Sequence, residues 1–156
     1  MKKIFFLLLL APSMMYGQSK VMRNLADEFP DARALVFYYS SLNMLNLEDD
    51  PEFSEMIRDI EKIKLVIMDK EDNEFNTNVT STIKADLKKY EFEELMTVNS
   101  KDYDIGVFIK DDDGDIEGFF FLMDEEDSLI AVDLVGSMPV GGVGMLIDKI
   151  SEANDF

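Results

Sequence analysis

A two-layer α+β fold is predicted, with helices packed on a mixed, mostly antiparallel sheet. Three observations lead to it. As far as Tyr90, apolar stripes at helical spacing alternate with apolar runs of strand length. From Phe92 onward the apolar period becomes two, and turn residues separate short segments. The resulting order, α-β-α-β-α-β-β-β-β-α, ends in a meander, which favours antiparallel pairing.

Ser19 to Phe29 places Val21, Met22, Leu25 and Phe29 on one stripe, and Pro30 ends that helix. Ala34 to Tyr39 is an apolar, aromatic run, expected as a strand buried on both faces. Leu42, Met44, Leu45 and Leu47 follow in a segment compatible with a short helical turn. Asp50-Pro51-Glu52 opens a helix. Asp50 can cap it, Pro51 suits the first helical position, and Glu52 favours the positive end of the helix dipole. Phe53, Met56, Ile57, Ile60 and Ile63 continue at helical spacing.

Lys64 to Met68 is expected as a strand, with a polar loop over Asp69 to Glu74. Phe75, Val79, Ile83, Leu87 and Tyr90 form another helical stripe, with Lys84, Lys88 and Lys89 toward its C-terminal end. Thr77, Val79, Thr80, Thr82 and Ile83 are β-branched and weaken that helix locally. Phe92 to Val98, Tyr103 to Lys110, Ile116 to Met123 and Ser128 to Val135 read as strands. The turn at Asp113-Gly114 is a strong hairpin signal, and Asp124 to Asp127 is a second turn. Val143, Leu146, Ile147 and Ile150 mark a terminal helix, and Ser151 to Phe156 a frayed tail.

Residues 1–17 have a separate character. Lys2 and Lys3 precede an apolar run from Ile4 to Ala11, Pro12 interrupts it, and Gly17 is a small residue before a cut. This is the layout of a secretory signal peptide, and the run is too short for a spanning helix, which needs about 20 residues. The expected mature chain is a single domain over 18–156, located in the periplasm or outside a Gram-negative cell. Without a Cys after the cut there is no lipid attachment point, so no stable membrane anchor is expected.

Composition narrows the chemistry. The 156 residues include 33 acidic and 15 basic side chains, for a net charge of −18, yet 47% are hydrophobic, which suits one compact core. Nucleic acid and anionic lipid would be repelled. Cys and His are both absent, so disulfides, thiolate metal sites, thiol nucleophiles and serine–histidine triads are excluded. No cofactor is expected. Gly141-Gly142-Val143-Gly144 precedes a helix but has neither the Walker Lys-Ser/Thr nor the dinucleotide spacing, and reads as a connector.

The assembled pattern resembles the DUF4252 family, uncharacterised bacterial proteins found mainly in Bacteroidetes. The residues that carry the resemblance are Gly17-Gln18 at the end of the leader, Asp50-Pro51 at a helix start, Glu93-Glu94-Leu95-Met96-Thr97-Val98, and the hairpin from Ile116 to Gly136 closed by Leu129-Ile130-Ala131-Val132-Asp133-Leu134-Val135-Gly136. The glycine run at 141–144 departs from the regular helix start expected there. The resemblance implies an exported envelope domain, with no assigned activity and no catalytic residues to carry over.

Three features remain as site candidates. Phe119, Phe121 and Met123 share one strand face, with Phe120 and Leu122 on the other. Either helices cover both faces, or Phe119, Phe121 and Met123 form an apolar interface for an unknown envelope protein or for self-association. Asp133 interrupts an apolar strand on the face of Leu129, Ala131 and Val135. It is either part-buried with a raised pKa or, the simpler expectation, open to solvent near a strand end. The loop 111–115 offers oxygen ligands for calcium, but a hairpin turn explains the same residues. In an antiparallel meander, loops 111–115 and 124–127 fall at opposite ends, too far apart to share an ion. The expected function is binding without catalysis. The alternatives are a carboxylate-dependent glycan hydrolase and a weak calcium module.

Overall fold

A computed structural model describes residues 19–44, 46, 49–71, 75–142 and 144–146. The expected leader over 1–17, its expected cut and most of the expected terminal helix lie outside the described residues. The elements are α1 (Lys20–Glu28), β1 (Arg33–Tyr38), α2 (Tyr39–Met44), α3 (Pro51–Ile57), β2 (Ile60–Asp69), α4 (Val79–Lys89), β3 (Glu93–Asn99), β4 (Tyr103–Asp112), β5 (Asp115–Glu125) and β6 (Ser128–Gly136). A short 3₁₀ turn spans Val140–Gly142, where a connector was expected, and Gly144 to Leu146 are helical. No described helix is long and apolar enough to cross a membrane.

The strands form one sheet in the order β1-β2-β6-β5-β4-β3. Every pairing is antiparallel, so the sheet is not mixed. The β4–β5 hairpin closes at Asp113-Gly114, where φ is 52° and 92°. Both central residues take the left-handed conformation that a two-residue hairpin loop requires, and Gly tolerates it without strain.

Helices flank both faces, so the molecule has three layers rather than two. On one face Ile63, Leu65, Val107, Phe119, Phe121 and Leu134 pack beneath Leu42 of α2 and Phe53, Met56 and Ile57 of α3. On the other, Val66, Phe108, Phe120, Leu122 and Ala131 pack beneath α1 and α4. The physical reason lies in the central strands. β5 and β6 are apolar on both sides, and each side needs cover to leave water.

Two elements differ from expectation in instructive ways. The helix opening at Asp50 is capped as read, with the Asp50 side chain accepting from the Glu52 N–H at 2.9 Å, but it ends at Ile57. Ile60 and Ile63 belong to β2, whose register shifts between Ile60 and Lys62. A bulge adds one residue, so positions three apart fall on one face and mimic a helical step. The second helix starts at Val79 rather than Phe75, because the Asn76 side chain accepts from the Asn78 N–H at 2.9 Å and holds a turn there. Phe75 still packs on the second core, with its ring 6.4 Å from that of Phe29.

Candidate functional site

The sequence pointed first to Phe119, Phe121 and Met123. They do share a face, but that face is core. Phe119 is 0% and Phe121 4% exposed, and their rings stack at 6.2 Å beneath the α2–α3 layer. Met123 is half-buried against the same cluster. The apolar interface expected on these residues is corrected accordingly: helical cover buries Phe119 and Phe121 in the core and leaves Met123 half-buried at its margin.

The acidic loops separate as the meander requires. Asp112 pairs with Asp115 at one end of the β4–β5 ladder, and Tyr103 pairs with Glu125 at the other. Among the described residues, no group of three Asp or Glu side chains is placed to share one metal ion. Asp124 is engaged elsewhere. It accepts from Lys70 Nζ at 2.5 Å and from Thr80 Oγ1 at 2.9 Å, tying the β2–α4 region to the β5–β6 turn.

Asp133 is buried, 3% exposed, against the simpler expectation of an open strand end. Its cover comes from the other end of the chain. The Ser19 backbone N–H donates to Asp133 Oδ2 at 2.6 Å, while Ser19 Oγ accepts from the Met22 N–H at 3.2 Å and caps α1. A carboxyl from β6 therefore seats the first turn of the N-terminal helix. Burial pushes the Asp133 pKa up, opposed by the hydrogen bonds from Ser19 and by Lys62 and Lys64 on β2.

Beside Asp133 lies a cleft of about 830 Å³, lined by Lys20 and Lys89, the Tyr90 ring, and the acids Glu61, Glu91 and Glu117. Lys20 and Lys89 sit 5.6 and 5.2 Å from the Tyr90 ring centre. Glu117 pairs with Lys110 at 3.4 Å across the β4–β5 ladder. Of the acids in this cleft, Asp133 alone is buried, and it is already held by Ser19.

The sequence reading missed the open edge of the sheet. β1 was expected to be buried on both faces. Among the described residues it is instead an edge strand, paired only with β2. Leu35, Val36 and Tyr38 are 46%, 44% and 59% exposed, and Tyr39 and Met44 extend the apolar surface. No signal within Arg33–Tyr38 separates an edge from a central strand, because an apolar run fits both. Only the sheet order decides it.

A family model described as a domain of unknown function (DUF4252) matches residues 36–146, from within β1 to the start of the last described helix. No curated protein and no solved structure matches the chain.

Proposed function

This chain belongs to the DUF4252 family, and on that footing we propose that it is an exported envelope domain that acts by surface contact rather than by catalysis, with β1 as its contact element. One observation carries the reading: β1 is an apolar, exposed strand edge whose outward backbone donors and acceptors pair with no strand among the described residues. Natural edges are usually blunted by charge, proline or a bulge, because an open edge is a template for another strand. Apart from Arg33 at its start, β1 has none of these. The leader-like 1–17 segment supports a location beyond the inner membrane. The acidic exterior supports a protein or peptide partner over nucleic acid.

A photo-activatable residue placed at Val36 in the cell tests this. The reading predicts covalent adducts at Val36 and none from a matched position on the outer surface of α4, such as Lys84. Adducts from neither position, or equally from both, would remove β1 as the contact element.

A glycan hydrolase stays as a second reading because a concave cleft holds Asp133 beside Glu61, Glu91 and Glu117. Turnover of cell-wall oligosaccharides that disappears in Asp133→Asn, with the fold retained, would establish it over the binding reading.

A further inference from the structure

The binding reading leaves open what covers the β1 edge. We propose that it is β1 of a second copy, paired antiparallel about a two-fold axis to give one sheet across both subunits. This rests on β1 being the contact element.

The two edges of the sheet are built differently. β3, at the far edge, begins with Glu93 and Glu94 and carries a register shift between Glu94 and Met96. Acids and a bulge are the usual guards against edge pairing. β1 pairs with β2 in continuous register from Arg33 to Tyr38 and has no acid within it. The unguarded edge is the adhesive one.

The strand is complementary to itself. Along an edge, alternate residues aim both N–H and C=O outward, and antiparallel pairing joins outward residues to outward residues. A two-fold pairing of identical strands therefore sets one residue opposite its own copy. With Leu35 on the axis, Arg33 faces Phe37 and Ala34 faces Val36. With Val36 on the axis, Leu35 faces Phe37, Ala34 faces Tyr38 and Arg33 lies beyond the paired stretch, where α2 of the other copy begins. In neither register does the only charge of the strand meet a second cation, and with Leu35 on the axis it lies opposite the Phe37 ring of the other copy.

The faces also continue. Leu35 and Phe37 pair with Leu65 and Ile63, which belong to the core beneath α2 and α3, and Phe37 already packs against that core. Facing residues in an antiparallel pair lie on the same side, so the apolar layer of one copy runs into that of the other. On the opposite side, Val36 and Tyr38 pair with Lys64 and Lys62. The two sets of lysines would stand three strand spacings apart, about 14 Å, beyond the ~8 Å screening length of physiological salt.

A single six-residue strand pair buries less than the ~1,600 Å² of a standard stable interface, so the dimer is weak and concentration-dependent. Each copy carries a net charge of −18, so added salt strengthens association by screening their mutual repulsion.

Sedimentation velocity from micromolar to millimolar concentration, with and without added salt, is the first measurement. Disulfide trapping is the second. The chain has no Cys, so Leu35→Cys and Val36→Cys each introduce one thiol, and oxidised glutathione serves as the oxidant. Facing residues in an antiparallel pair satisfy the Cα separation that a disulfide needs. The proposal expects mass to rise with concentration and with salt, Val36→Lys to remain monomeric with an unchanged circular dichroism spectrum, and one of the two Cys variants to form a dimer that Met96→Cys on β3 does not form. A wild type that stays monomeric with no trapped dimer overturns self-pairing, as does a dimer indifferent to Val36→Lys. In the monomeric case, a Val36 photo-adduct to a different protein in the cell preserves β1 as a contact element with another partner, and its absence removes both readings.

Discussion

Asp133 is the residue on which distant parts of the chain converge. Its carboxyl sits under the first turn of α1 and takes the Ser19 N–H, joining residues 114 positions apart. Because burial raises its pKa, the folded state holds a proton in a pH range where the unfolded chain has released it. Stability from this group therefore rises as pH falls through the raised pKa toward the ordinary carboxylate range, and the buried charge is a penalty at neutral pH. Asp133→Asn keeps an oxygen for Ser19 and removes the charge. The expected outcome is a higher melting temperature than wild type at pH 7, with the advantage shrinking on acidification. Thermal unfolding followed from pH 7 down into the acid range checks this, and an Asn variant less stable at every pH would show that the ionised form stabilises α1. Gly136 is a second exacting position. Its φ is +116°, and an added Cβ would lie 2.3 Å from the Asp59 carbonyl oxygen. Gly136→Ala should lower stability by more than about 1 kcal/mol, measured by denaturant titration. The sequence shows Asp133 as odd among apolar neighbours, and that was legible. That α1 would cover it was not, because a contact between chain ends leaves no local periodicity to read.

At the level of elements, the meander was legible almost in full. Asp113-Gly114 marks its hairpin, the two-residue alternation marks β4, and the apolar run broken by Asp133 marks β6. What misled was spacing without context. Phe53, Met56 and Ile57 are helical, but the i+3 step from Ile60 to Ile63 arises from a bulge in β2. Phe119 to Met123 shows the converse. Its doubly apolar pattern fits a central strand with helices on either side as well as an exposed face, and the three-layer packing resolves it as core. Phe119→Ala should therefore destabilise the fold by about 3–5 kcal/mol, the range for removing a buried aromatic side chain. A change well under 1 kcal/mol in chemical denaturation would contradict that packing. β1 was read as a strand correctly and placed in the sheet wrongly, since its neighbours are set by pairings to residues well away in sequence, from Tyr38 with Lys62 to Arg33 with Ile67.

The whole molecule combines strong acidity with one unguarded apolar edge. A net charge of −18 repels copies at low salt, while in the proposed pairing β1 would offer a partner the backbone groups that no described strand takes, beside exposed Leu35, Val36 and Tyr38. Charge sets the condition for contact and the edge sets its place. Amide hydrogen exchange resolved by segment tests that division most directly, comparing Arg33–Tyr38 with Glu93–Asn99 as protein concentration and salt are raised. Half of the β1 amides, the outward-facing set, should become protected while the β3 edge keeps its rate. Unchanged exchange in β1 together with new protection anywhere else on the surface would contradict the account.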